Sequence, residues 1–428
     1  MKNSFLQVSI NENNPKWEQC NKRSNTLYQR DNGIRSNFER DYTRILHSLA
    51  YRRLKHKTQV FYAPQNDHIC TRMEHVSHVA SVSTTIAKFL GLNVDLTQTI
   101  ALGHDIGHAP FGHTGEEILN SLIQNQQTEG INQPKKFWHE RNSLFFADFI
   151  ETLQDPNGIE KNLNLTYAVR DGLICHCGEI DQQGLTPRNE PIDLYTIKRP
   201  GIIAPYTWEG CVVKISDKIA FLGRDMEDAR SYHILDMASY RQLREIVAGT
   251  LGFGPEKENI THTNSGVHRS GRAVNTTVLI NDMIVDLCQN SSPEKGLSFS
   301  EPYFKFIKEL KQFSFANIYN NWRLLEFKNY ATQILGCIYR TLMKLQEYAK
   351  NRRIEQALKY APNLLKTFTD WLVKYSNYDV ERKKTFRYDT LECFDVFNLE
   401  SYEKCVIEYI SGMTDQYAIS VFHEIISF

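Results

Sequence analysis

Apolar residues recur at three- and four-residue steps along most of the chain, and that spacing predicts one helix after another. Between Phe38 and Leu54, the residues Tyr42, Ile45, Leu46 and Leu49 form a stripe with basic residues between them. From Met73 to Leu90 a second stripe runs through Val76, Val79, Ala80, Val82, Ile86 and Phe89. Thr71, with Glu74 three residues on, predicts the capping box that starts this helix. Thr114 with Glu117 predicts another, opening a helix through Ile118, Leu119 and Leu122. Gly107 and Pro110 close the helix before it, which leaves His113 in a connecting loop. Further helices are predicted at 137–153, 212–230, 239–249, 273–288, 302–312, 323–350, 353–375 and 401–427. Strand patterning is confined to Gln59 to Tyr62 and Leu194 to Ile197. Two polar stretches rich in Gly and Pro, 251–271 and 289–302, read as long loops. The expected fold is all-α with, at most, a small β-ribbon, and there is no internal repeat.

A chain of 428 residues is long enough for one large core or two domains. Its 50 basic and 50 acidic residues cancel, so there is no global electrostatic footprint for nucleic acid or an anionic membrane. The nine cysteines are scattered without a repeated CxxC spacing. Cys175 and Cys177, on either side of His176, are their one cluster, and without a second pair they read as ordinary reduced thiols. The first residues carry no apolar segment of signal length, and no apolar run approaches a membrane span. A cytoplasmic protein is the expectation.

Candidate chemistry concentrates in residues 104–113, His-Asp-Ile-Gly-His-Ala-Pro-Phe-Gly-His, directly after the apolar Ile100, Ala101 and Leu102. Imidazole nitrogen and carboxylate oxygen together suit first-row divalent metals, and adjacent His104 and Asp105 can grip one ion from the edge of a helix. His108 stands one turn further along the same face. Such an ion needs more ligands, and two residues elsewhere fit. His75 shares the helical face of Val79, Val82 and Ile86 and therefore points inward. Asp217 lies in a helix whose neighbours Ile215, Ile219, Phe221 and Leu222 are apolar, and a carboxylate buried there needs a cation.

The order His75, His104-Asp105, Asp217 resembles the HD superfamily of metal-dependent phosphohydrolases. It is most similar to the branch of deoxynucleoside triphosphate triphosphohydrolases typified by bacterial dGTPase. The resemblance is carried by RILHSLAYRRLKHKTQVF (44–61), RMEHVSHV (72–79), GHDIGHAPFGHTGE (103–116), WHERNS (138–143), SDKIAFLGRDMEDA (216–229) and YISGMTDQYA (409–418). It spans about 28 to 428, with gaps near 155–200 and 250–400. It implies a single unit over 1–428, in which 28–250 form the HD catalytic core and 251–428 a helical extension packed on it.

In terms of roles, the resemblance implies a divalent ion (Mn, Mg, Fe, Co, Ni or Zn) on His75, His104, Asp105 and Asp217. His113, His139 and His108 match its catalytic imidazoles, with Glu140 and Glu116 beside them. His113 is favoured as proton donor to the leaving 5′-oxygen, although the three histidines are interchangeable at this level. Arg72 and Lys218 match phosphate-binding positions, and Gln59 and Asp225 match sugar contacts. Phe221 departs from the pattern, since relatives commonly carry Tyr there, which puts selectivity in question rather than chemistry. His268, Arg269 and Arg272 form a basic cluster that fits either the active site or a regulatory nucleotide site. The implied reaction is hydrolysis of a dNTP, dGTP foremost, to deoxynucleoside and inorganic triphosphate. Two alternatives remain: a general HD phosphohydrolase or phosphodiesterase, and a regulator that binds nucleotide or single-stranded DNA. The aromatic residues Tyr303, Phe304, Phe306, Phe313, Phe315, Tyr319 and Trp322 exceed what one small core needs. With the oligomers of similar proteins, they imply a homo-oligomer and no membrane partner.

Overall fold

Short helical segments begin the chain, and the first, α1 (Trp17–Asn21), is a single turn. Ser36 starts the first long helix, α2 (Asn37–His47): its hydroxyl accepts the Glu39 N–H, while its own N–H donates to the Glu39 carboxylate. The stripe predicted as one helix to Leu54 is broken at Ser48, whose backbone is extended and whose hydroxyl caps a separate turn, α3 (Leu49–Arg53). The computed structural model describes residues 2–27, 33–62, 68–124, 136–177, 183–252, 276–357 and 361–427.

The predicted Thr71/Glu74 capping box forms and opens α4 (Arg72–Leu90). Helix α5 (Val94–Gly103) follows, and α6 (Gly112–Gln124) begins earlier than Thr114. Phe111 and Gly112 turn the chain with positive φ (65° and 60°), so helix geometry starts at Gly112 and Thr114 does not cap it. Glu117 instead reaches Lys328 at 2.5 Å. His113 therefore stands in the first turn of a helix and not in a loop.

Helix α7 (His139–Phe145) ends in a π turn at Phe146–Ile150, so the element predicted to reach 153 stops short. The small sheet that follows, β1 (Thr152–Gln154) antiparallel to β2 (Glu160–Asn162), pairs in parallel with β3 (Tyr388–Asp389). Neither predicted strand segment forms a strand, since 194–196 is a 3₁₀ turn and 58 makes one isolated bridge to Thr71. Helix α8 (Tyr167–Cys175) went unpredicted; α9 (Trp208–Ser231), α10 (Met237–Leu251), α11 (Thr276–Asn290) and α12 (Glu301–Ser314) were expected. The segment predicted as a long loop over 289–302 is mostly a tight turn between α11 and α12. The remaining helices are α13 (Trp322–Met343), α14 (Gln346–Lys350), α15 (Pro362–Tyr375), α16 (Val380–Thr385), α17 (Leu399–Ser411) and α18 (Asp415–Ile426). The last two were predicted as one; Gly412, Met413 and Thr414 separate them.

Helix α4 packs on α5 and α9, and α5 packs on α2 and α8. Two apolar clusters meet along this group. Val76 and Val79 of α4 and Val213 and Ala220 of α9 join a cluster that also takes residues of α13, α15, α17 and α18. Val82 and Ile86 of α4 and Ile219, Leu222 and Met226 of α9 join the other, with α11 and α12. Each large apolar side chain so buried contributes about 1.5–3 kcal/mol, so both helices are held from two sides. The polar side chains between these clusters are thus rigidly placed. The aromatic argument for an oligomer loses most of its members. Phe306 and Phe313 are core, Tyr303, Phe304 and Tyr319 are half-buried, and only Phe315 and Trp322 (70% exposed) face outward.

Candidate metal centre

His75 sits in the first turn of α4, His104 directly follows α5, and Asp217 lies mid-way along α9, so the α4–α5–α9 packing brings them together. His75 Nε2 lies 2.9 Å from Asp217 Oδ1 and 3.8 Å from Asp105 Oδ2. His104 Nε2 lies 3.5 Å from Asp105 Oδ1 and 3.9 Å from Asp217 Oδ1. Ligands at bonds of ~2.0–2.1 Å stand roughly 3.0–3.4 Å apart, so His75, His104 and Asp217 gather close to the spacing of one ion's ligands, with Asp105 beside His75 and His104. His104 donates through Nδ1 to the Ala101 carbonyl, 2.7 Å away, which leaves Nε2 buried with no hydrogen-bond partner among the described residues. That is the orientation device expected of a ligating imidazole. The donor set and the orphaned nitrogen fit a divalent ion.

Burial opposes charge on Asp105, but His104, His108 and the Arg72 guanidinium outweigh it and hold the carboxyl well below its ordinary range. For Asp217 burial is likewise overcome, chiefly by His75. His75 is in turn raised, because its hydrogen bond and charge contact with Asp217 exceed the cost of burial. Arg72 is fully buried and committed: it donates to Asp105 Oδ2 at 2.8 Å and to the Gln59 carbonyl at 3.2 Å. In this state it steers a metal-facing carboxylate instead of presenting an open cation.

A second tier of imidazoles lies beside the first. His108 Nε2 is 3.3 Å from Asp105 Oδ1, and its ring stacks on His139 with centroids 3.8 Å apart. His139 Nδ1 meets Glu116 Oε2 at 2.9 Å and Glu140 Oε2 at 3.5 Å. Burial pushes His139 down, yet Glu140 and Glu116 together hold it well above the ordinary imidazole value, as a cation. His108 goes the other way: burial, Arg72 and His139 keep it neutral. His113 completes the tier with its ring 5.1 Å from His108 and 5.4 Å from His139. With 65% of its side chain exposed, it is the histidine of the tier open to a substrate.

The loop bearing these residues is clamped from outside. Ser143 Oγ accepts the Gly107 N–H and donates to the His104 carbonyl, and Asn142 donates to Gly107 O and Ser411 Oγ. A Cβ on Gly107 would lie 2.1 Å from the Ser143 nitrogen, so only glycine fits there. Asp415 accepts the N–H groups of Thr58 and Phe111, both at 2.8 Å, and Lys57 donates to the carbonyls of His108 and Ser411. The GMTDQYA ending is thus a brace for the metal loop and the Gln59 turn.

Of the other expected residues, Gln59 is buried near Arg72, and Lys218 and Phe221 are half-buried on α9. Asp225 is buried, accepts the Tyr319 hydroxyl at 2.6 Å, and is raised to about 6 by burial. His268, Arg269 and Arg272 lie outside the described residues. One member of the site was missed. His176 follows α8 and is buried, with its ring 4.9 Å from His104 and 5.8 Å from His139. Its signal was a histidine ending an apolar helix, as in His104, but the Cys175–His176–Cys177 cluster reads as ordinary thiols for want of a second pair nearby.

Comparison with known proteins agrees with this geometry. The HD domain family model matches residues 72–221. A deoxyguanosinetriphosphate triphosphohydrolase-like protein of Caldanaerobacter subterraneus subsp. tengcongensis is 32% identical over 392 residues, 92% of this chain and 85% of its own. Proteins of the same description from Desulfatibacillum aliphaticivorans and Clostridium tetani are each 33% identical over 332 residues. The matches cover 77% and 76% of this chain and 80% and 79% of theirs. No described helix is long and apolar enough to cross a membrane. The chain belongs to the deoxyguanosinetriphosphate triphosphohydrolase-like family and is an HD-domain phosphohydrolase.

Proposed function

We propose that the protein hydrolyses a deoxynucleoside triphosphate, dGTP being the first substrate to test, into deoxynucleoside and inorganic triphosphate. The observation that carries this reading is the pairing of the His75–His104–Asp217 donor cluster, with Asp105 against His75 and His104, with an adjoining tier of histidines, one of them exposed. His75, His104, Asp105 and Asp217 would hold the divalent ion. When bound, such an ion lowers the pKa of water and neutralises phosphate charge. Water adds to the α-phosphorus and the bond from phosphorus to the 5′-oxygen breaks. His113, whose exposure lets it face the leaving group, passes the departing oxygen a proton drawn from His139, because burial and the charge on His139 lower its own pKa to about 4. His139, held charged by Glu116 and Glu140, and neutral His108 stacked on it order the donor and the water.

Arg72 and Lys218 supply cations for the triphosphate, with Arg72 exchanging part of its bond to Asp105 for a phosphate oxygen. Gln59 and Asp225, with Phe221 between them and the metal residues along α9, border the sugar. Both have a buried oxygen with no hydrogen-bond partner among the described residues, namely Gln59 Oε1 and Asp225 Oδ1. Such atoms suit recognition of a 3′-hydroxyl, and a 2′-hydroxyl pressed against them would be desolvated. Residues 28–250 act as the catalytic core and 251–428 as the extension that braces it, through the contacts of Ser411 and Asp415. Incubation with each dNTP and Mn²⁺, followed by chromatography, tests the reading. Free deoxynucleoside and triphosphate are expected; nucleoside monophosphate with pyrophosphate, or equal use of GTP and dGTP, would overturn it.

A further inference from the structure

His176 repeats at the end of α8 what His104 does at the end of α5. Each follows the last residue of its helix, and each turns Nδ1 to the carbonyl three residues back (Leu173 O at 2.8 Å, Ala101 O at 2.7 Å). Each leaves Nε2 buried without a hydrogen-bond partner among the described residues. The hydrogen bond fixes the tautomer, so Nε2 carries the lone pair. For His104 that lone pair belongs to the metal centre, whereas nothing above uses the one on His176.

The surroundings of His176 differ from those of His104 in one donor. Ligand atoms of His139, His176 and Cys177 all lie within 4.8 Å of one another. Cys177 lies against both His139 and Glu140, and its carbonyl is tied to Lys214 Nζ at 2.6 Å. His139 Nδ1 meets the Glu116 carboxylate at 2.9 Å, the carboxylate–histidine arrangement that supports a ligating ring.

We propose that His139, His176 and Cys177 form a second metal site beside the first, selective for a borderline or soft divalent ion such as Zn²⁺. Two imidazoles and a thiolate are the ligands of such ions, while the two imidazoles and two carboxylates of the first site also suit harder ones. Donors of a tetrahedral ion stand roughly 3.5 Å apart, so the cluster contracts on binding. Cys177 is half-exposed and lies beyond the end of α8, outside its hydrogen-bonded turns. Coordination releases two protons to solvent, one from the Cys177 thiol and one from the charged His139 ring, and a solvent molecule or Glu140 takes the fourth position. Occupation withdraws His139 from the catalytic tier, so the site is inhibitory; that consequence, unlike the site itself, rests on the proposed reaction.

The test is a titration of the full-length, chelator-treated protein with Co²⁺. Wild type is expected to bind two ions per chain and to develop thiolate-to-cobalt charge-transfer absorption in the near ultraviolet. Cys177→Ser should lose the absorption and one ion, and Asp217→Ala should lose one ion but keep the absorption. Absence of the band in saturated wild type, or an unchanged band in Cys177→Ser, would overturn the site. Hydrolysis measured with Mn²⁺, with and without added Zn²⁺, tests the inhibition. Zn²⁺ should lower the wild-type rate at least about tenfold more than that of Cys177→Ser. Equal inhibition would overturn the inhibitory role, and because only ratios are compared, failure of the dNTP reading leaves the cobalt result standing.

Discussion

Replacing Asp415 by alanine removes a side chain that ties both the Gln59 turn and the metal loop to the C-terminal helix. Its carboxylate accepts two backbone N–H groups, of Thr58 and of Phe111, each at 2.8 Å. Both residues are buried, at 9% and 2% exposure, so neither amide has water to turn to. A buried donor left without its acceptor costs about 1–3 kcal/mol, hence roughly 2–6 kcal/mol for the pair. Burial holds the Asp415 carboxyl above its ordinary value, a cost that the substitution relieves, so the net global loss falls in the lower part of that range. Locally, about 1–3 kcal/mol per amide means exchange faster by roughly 5- to 150-fold. Deuterium exchange followed by mass spectrometry should show this in peptides covering 54–62 and 105–113, while those of α9 keep their protection. Bound metal should persist, and kcat/KM for dGTP should fall by about a hundredfold as the Phe111 turn that leads into His113 loses its position. Exchange within about twofold of wild type in both peptides would refute the brace.

Asp217→Ala should lose its divalent ion by elemental analysis while remaining a folded helical protein, and full stoichiometric metal would sink the ligand assignment. His113→Ala should retain metal but lower kcat by roughly 10²–10⁴-fold; a substrate with a much better leaving group should recover most of the loss, and no recovery would move the role to His139 or His108. Asp225→Ala should shrink the preference for dGTP over GTP by about tenfold or more with metal occupancy intact, and an unchanged ratio of kcat/KM values would remove Asp225 from sugar recognition. Burial raises Glu408 to about 7. A carboxyl raised in the folded state gives stability that is complete below its unfolded pKa, near 4.3, and lost as pH rises through about 7, here about 4 kcal/mol. Glu408→Gln should therefore gain on wild type in urea midpoint between pH 4.5 and 8, and a constant difference across that window would refute the shift.

The all-α class, the helix stripes of α4 and α9 and the Thr71/Glu74 cap were legible because each depends on residues within a turn or two of one another. The four candidate ligands were picked out by the donors of residues 104 and 105, by a carboxylate at Asp217 that burial would leave in need of a cation, and by the family resemblance, since a buried imidazole such as His75 has other uses. The chain breaks were harder, since Ser48 and Gly412 interrupt helices whose apolar spacing continues unbroken through them. Sheet pairing was misplaced because β3 joins β2 from more than two hundred residues away, beyond any local pattern. His176 read as one of three adjacent cysteine and histidine residues until the packing of α8 on α5 laid its ring against His104.

The sequence by itself determined which residues could bind metal and which helices would carry them, because periodicity and donor chemistry are written in neighbouring positions. Only the tertiary structure decided which nitrogen each histidine presents, that His139 is charged while His108 is neutral, and that Arg72 is bound to Asp105. Those properties arise from contacts among residues 72, 105, 108, 116, 139 and 140 inside a buried space. There, desolvation and the nearest charges outweigh the intrinsic pKa of any single side chain.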